Sequence, residues 1–171
     1  SSMCLFPKNG GTKLVQVRGL EGGFPFYGNL ETEPESAANE YQQKGGALVD
    51  ATVMLQYNIK PGDSIKIGNV ILPIIGMLKS VPGSASFSNA VAPPVYIPYH
   101  SIEKSGLIQV GSRLEYQFYF VTEPERDLVQ LDAKLDPILD AEDADIDTHS
   151  DTSQRLGRRY ENFIVFLNLV A

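Results

Sequence analysis

The sequence predicts an α+β fold: a mixed β-sheet platform with flanking helices and a smaller β-rich lobe inserted in it. Three observations carry this. Residues 44–78 hold a helix, a turn and a hairpin in immediate succession. Residues 112–121 alternate, with Leu114, Tyr116, Phe118 and Phe120 on one face and Glu115, Gln117 and Tyr119 on the other, the two-residue period of a strand. The tetrapeptide Thr-Glu-Pro-Glu stands at Thr32 and again at Thr122, each time offering a cap and a first-turn proline ahead of a helical stretch. The expected organisation is a single domain with a platform of 1–44 and 107–160, a lobe of 45–106, and 161–171 as the start of a transmembrane helix.

Taken in order, residues 3–6 and 13–20 are strand candidates joined by Lys8-Asn9-Gly10-Gly11, a loop with the asparagine and glycines a hairpin needs, and they are expected to pair. Residues 21–29 set Phe24, Phe26 and Tyr27 among glycines in irregular backbone. A helix is expected from the Thr32 device to about Lys44, stopped by Gly45-Gly46. Asp50 caps a short helix carrying Val53, Met54 and Tyr57, which cannot run past Asn58-Ile59-Lys60-Pro61-Gly62. Residues 64–67 and 70–78 are strands around Gly68-Asn69, a two-residue turn of the primed kind.

Residues 79–94, rich in serine, glycine, alanine and proline, form a loop that presents Phe87. Residues 95–98 are a short strand, and 99–104 a helical turn closed by Ser105-Gly106. Leu128, Leu131, Leu135 and Leu139 follow the Thr122 cap at helical spacing, and Pro137 kinks or ends that helix. Residues 140–151 are an acidic, weakly structured loop, and Asp151-Thr152-Ser153-Gln154 offers a last cap.

A chain of 171 residues with net charge −7 supports one domain with a real core, and its charge argues against nucleic acid as a partner. The densest basic run is Arg155, Arg158 and Arg159. Cys4, the single cysteine, has no partner for an intramolecular disulfide. The N-terminal residues lack the basic region and long apolar segment of a signal peptide, and the chain reads as an excised piece.

Catalytic and metal constellations are thin. His100 and His149 with one cysteine give no zinc set, and His100 reads as a structural histidine at a strand-to-helix corner. The acids of 140–147 alternate as in a calcium loop, but the mid-loop glycine and closing glutamate are absent. No Gly-x-Ser-x-Gly and no phosphate-binding lysine loop occurs. Val49-Asp50-Ala51 lacks the second aspartate motif of an aspartic protease, so no enzyme is expected. The candidate contact residues for a partner or substrate are Phe24, Phe26, Tyr27 and Phe87, with inward packing as the alternative for each.

Leu48-Val49-Asp50 leading to a helix, then Lys60-Pro61-Gly62-Asp63-Ser64-Ile65-Lys66-Ile67-Gly68 and an apolar strand, resembles the extracytoplasmic domain of the MacB/FtsX-like permease subunits of ABC transporters. Phe24-Pro25-Phe26-Tyr27-Gly28 resembles the YbbP-type branch of that family, and landmarks at 17–28, 48–76, 95–107 and 157–171 keep its order. The resemblance implies the MacB-like periplasmic core fold, facing the periplasm from the bacterial inner membrane. It also implies a second permease copy and a cytoplasmic ATP-binding subunit that holds the nucleotide, so no cofactor is expected here. Lipid, lipoprotein or peptide substrates, or a periplasmic protein partner moved by the transporter, are implied in the same way.

Residues 163–171 are apolar on every face except at Asn168, which fits the first turns of a membrane helix; a buried terminal helix is the alternative. That alternative goes with a soluble peptide- or sugar-binding module using the aromatic loops. The two differ in whether an apolar run continues beyond Ala171.

Overall fold

The computed structural model describes residues 1–26, 28–82, 92–112 and 114–121, together with 134, 135, 138 and 139. The chain divides into two units, Ser1–Gln117 and Phe118–Ala171. In the second, Lys134, Leu135, Ile138 and Leu139 are helical, on the segment where leucine spacing predicts a helix. The expected acidic loop and the apolar run of 163–171 lie outside the described residues.

The first unit begins with β1 (Ser2–Phe6) and β2 (Gly11–Leu20), which pair antiparallel from Ser2 with Val15 to Phe6 with Gly11. β3 (Glu31–Glu33) and the one-turn helix α1 (Ala37–Glu40) come next. β4 (Ala47–Asp50) runs straight into α2 (Ala51–Gln56), because Asp50 Oδ1 accepts the Thr52 N–H at 2.8 Å as its cap. Asn58 leaves α2 at φ 49, and the hairpin of β5 (Ser64–Ile67) and β6 (Val70–Ser80) turns at Gly68-Asn69. β7 (Pro94–Pro98) and α3 (Tyr99–Ser105) complete the unit's described elements.

The strands close on themselves. β6 is paired with β4, β4 with β7, β7 with β2, β2 with β1, β1 with β5, and β5 with β6 again, so six strands form a ring and β3 adds outside it on β6. The 11 residues of β6 make closure possible, since Val70 to Pro73 pair with β5 and the stretch from Ile74 to Leu78 serves β4. The β2–β7 and β4–β6 pairs are parallel. β1 and β2, expected in the platform, are thus neighbours of β5 and β7, expected in the inserted lobe.

A small barrel must fill itself with alternate side chains from its strands. Here Cys4, Phe6, Val15, Ala47, Val49, Ile65, Ile67, Leu72, Ile74, Val95 and Ile97 do so, joined by Val53 and Met54 of α2 and by Ile59. Tyr57 lies over one end. Its ring centroid is 5.0 Å from that of Phe6, its hydroxyl donates to the Thr12 carbonyl at 2.7 Å, and a Cβ at Gly11 would lie 2.4 Å from its ring. Only glycine leaves that space.

Two expectations are corrected. Residues 114–121 form no strand, and Phe118 and Phe120 are 79% and 83% exposed. Alternation selects the faces of an extended segment, but a strand is defined by ladder hydrogen bonds, which the side-chain pattern does not supply. The helix expected from the Thr32 device to Lys44 is only Ala37–Glu40: Thr32 belongs to β3, and Ser36 precedes the helix without a side-chain cap bond. Thr32 Oγ1 still accepts the Ala38 N–H at 3.2 Å and donates to the Pro34 carbonyl at 2.8 Å.

The β1–β2 turn is stitched to the α2–β5 turn. Lys8 Nζ donates to Asp63 Oδ2 at 2.8 Å, the same oxygen accepts the Lys60 N–H at 2.8 Å, and Asn9 Nδ2 donates to the Tyr57 carbonyl at 2.6 Å. The Lys8 hydrogen bond, then that of the Lys60 amide, hold the Asp63 carboxyl below the usual range. A carboxyl depressed on folding adds stability above its unfolded pKa and loses it as pH falls through the folded value. Asp63→Asn is therefore expected to lower the urea midpoint at pH 7, by a modest amount for so exposed a pair. The gap to the parent should shrink as the pH drops through and below the carboxylate range. A gap of constant size down to pH 2 would show the carboxylate charge to be irrelevant.

Candidate functional site

The aromatic candidates part company. Phe24 turns inward, its ring edge-on to Tyr96 at a centroid distance of 6.3 Å and an interplanar angle of 72°. It joins a second cluster outside the barrel wall, built on Leu30, Ala37, Tyr41, Leu48, Leu78, Val81 and Tyr96. Phe26, two residues on, is 52% exposed. Tyr27 and Phe87 lie outside the described residues. The loop before Phe24 is tied down by Gln42, whose Nε2 donates to the Gly22 carbonyl at 3.1 Å. Phe24 is thus part of the packing, while Phe26 is exposed.

The second cluster coats one side of the barrel and leaves the other bare. Residues directly opposite in an antiparallel ladder share a face. Thr12, Leu5, Lys66 and Ile71 make one such row across β2, β1, β5 and β6, and Leu14 with Met3 makes the next. Met3, Leu14 and Ile71 are exposed, Ile71 by 61%. Alternate positions of β1 are thus apolar on both faces, Cys4 and Phe6 inward, Met3 and Leu5 outward. That doubled pattern is the sequence signal for this surface.

The remaining chemistry-bearing groups are committed or isolated. Both Asp50 Oδ1 contacts go to Thr52, its N–H and its hydroxyl. Burial pushes the Cys4 thiol up to about 11, which leaves it protonated and inert at neutral pH. Burial likewise raises the Tyr41 hydroxyl to about 12. His100 is exposed on α3. A shallow cleft of about 410 Å³ beside β3 is lined by Asn29, Leu30, Glu31, Thr32 and Glu35, with Thr32 already hydrogen-bonded as above. Among the described residues no three acidic, histidine or cysteine side chains converge on a metal position. Nor is any described helix long and apolar enough to cross a membrane.

Among the described residues, the closed six-stranded barrel carries an apolar cluster on one side and exposed Met3, Leu14 and Ile71 on another. The chain belongs to the MacB-like periplasmic core domain family, which it matches over residues 4–138. It is also similar to the uncharacterized ABC transporter permease YbbP of Escherichia coli (strain K12), at 30% identity over 108 residues. That match takes up 63% of this chain and 13% of the relative, so the chain spans a small fraction of the length of the protein it resembles.

Proposed function

We propose that this chain is the periplasmic domain of an ABC transporter permease subunit in the bacterial inner membrane. It couples ATP hydrolysis on a separate cytoplasmic subunit to export or extraction of a lipid, lipoprotein or peptide, or passes that motion to a periplasmic protein. The family match over residues 4–138 carries the reading, and it covers the barrel except for Ser2 and Met3 at the start of β1. A ring with no open seam resists shear, so the barrel moves as one body when the permease changes state. The bare face around Met3, Leu14 and Ile71 is then the natural contact surface for the second permease copy or the partner. ATP stays on the other subunit, and no catalytic set is assigned here.

The test needs no knowledge of the substrate. In the full-length permease assembled with its ATP-binding subunit, other cysteines replaced, a spin label is placed at Lys66→Cys. Buried Cys4 stays unlabelled. A membrane-impermeant maleimide should reach Lys66→Cys from the periplasmic side only. The distance between labels on the two permease copies should shift when ATP and vanadate replace ADP, while a pair within one barrel, at Lys44→Cys and Lys66→Cys, stays fixed. Labelling from the cytoplasmic side, or an unmoved distance between copies, would overturn the proposal.

A further inference from the structure

We infer that residues 105–112 form a stiff joint, clamped by the β5–β6 turn, that fixes the chain leaving α3 to the barrel. Helix ends normally leave their last carbonyls to water. Here the Ser105 carbonyl accepts the Asn69 N–H from the hairpin turn at 2.8 Å. The two backbones meet with no side chain between them. A Cβ at Gly68 would lie 2.1 Å from the Ser105 oxygen, and one at Gly106 2.6 Å from Asn69 Nδ2. Gly68 at φ 54 and Gly106 at φ 69 also hold the left-handed backbone that both turns require.

The segment that follows is neither helix nor strand, yet it is cross-tied along its length. Ser105 Oγ donates to the Ile102 carbonyl at 2.6 Å and accepts the Leu107 N–H at 3.2 Å. Gln109 Nε2 donates to the Gly106 carbonyl at 2.8 Å. Ser112 Oγ donates to the Leu107 carbonyl at 2.8 Å and accepts the Gln109 N–H at 3.1 Å, while the Ser112 N–H donates to the Gln109 carbonyl at 2.9 Å. Leu107 packs against the barrel core, as does Ile102 of α3. The ties of Gln109 and Ser112 are local and solvent-exposed, so the stiffness of the joint rests on the Asn69–Ser105 bond and on buried Ser105. Resting on the permease reading, the joint passes a displacement of the chain beyond Ser112 to the barrel without slack.

Hydrogen exchange on the 171-residue chain tests this directly. The amides of Asn69, Leu107, Gln109 and Ser112 should exchange at least roughly tenfold more slowly than open chain. Gly68→Ala should speed all four by at least roughly tenfold while the β2 and β7 ladders keep their protection. If Gly68→Ala instead unfolds the ladders, Ser105→Ala, which keeps the backbone and deletes the Ile102 and Leu107 ties, takes its place with the same expectation for Leu107, Gln109 and Ser112. Open-chain rates in the parent would overturn the inference, as would unchanged rates in a folded variant. Exchange is read without membrane, nucleotide or partner, so it judges the joint whether or not the permease reading stands.

Discussion

Phe6→Ala is expected to destabilise the barrel by about 4–5 kcal/mol, at the upper end for an aromatic truncation in a core. Phe6 is fully buried, and its cross-strand neighbour is Gly11, which has no side chain to move into the space left behind. On its other side Tyr57 is held by the hydrogen bond to the Thr12 carbonyl and cannot follow. The cavity therefore stays open, and its cost adds to the lost transfer energy. Total stabilities of domains lie at about 5–15 kcal/mol, so the variant should sit close to its unfolding threshold. Urea titrations of parent, Phe6→Ala and Phe6→Leu check this. Leucine keeps most of the volume and should cost far less. A loss below about 2 kcal/mol for the alanine variant would mean that the barrel end collapses, and that Tyr57 is not the fixed lid described above.

Tyr96→Ala should have a similar effect on stability, about 3–4 kcal/mol, and a second consequence of its own. Tyr96 is 1% exposed and stands on the outer wall of β7, where it packs with Leu48, Tyr41 and Leu78 and takes the edge of Phe24. Its removal takes away part of the surface against which Leu20, Phe24 and Leu30 pack. A protease should then cut near Phe24 in the folded variant and not in the parent. Loss of stability without new cleavage would show that Gln42 and the remaining cluster hold that loop without the ring pair.

Much of the fold was legible where a few neighbouring residues settle the matter. The Asp50 cap, the halt at Asn58, the Gly68-Asn69 turn, the first hairpin and the Gly106 stop are decided by local backbone chemistry, and each stands where the sequence places it. Ring closure was not legible. It depends on β1 meeting β5 and β2 meeting β7, pairings between distant stretches that no local pattern encodes. The alternation of residues 112–121 misled because period 2 describes the faces of an extended segment and does not make it a strand.

Phe24 and Phe26 look equivalent in sequence, and only the position of Tyr96 distinguishes their packing. The exposed members of the face of β1, β2 and β6 are the aliphatic Met3, Leu14 and Ile71, which no aromatic pattern marks.

Ring closure also sets the order of events as the chain is made. β2 cannot find its parallel neighbour until Pro94–Pro98 has been synthesised, and β4, β5 and β6 lie between them in the chain. Before that, the β1–β2 and β5–β6 hairpins and the β1–β5, β3–β6 and β4–β6 pairs can form, but the ring cannot close. Non-local pairing of this kind pays its loop-closure entropy before any reward, so the barrel should assemble late and slowly. During that interval the edges of β2 and β4 that β7 later covers are open to neighbouring chains.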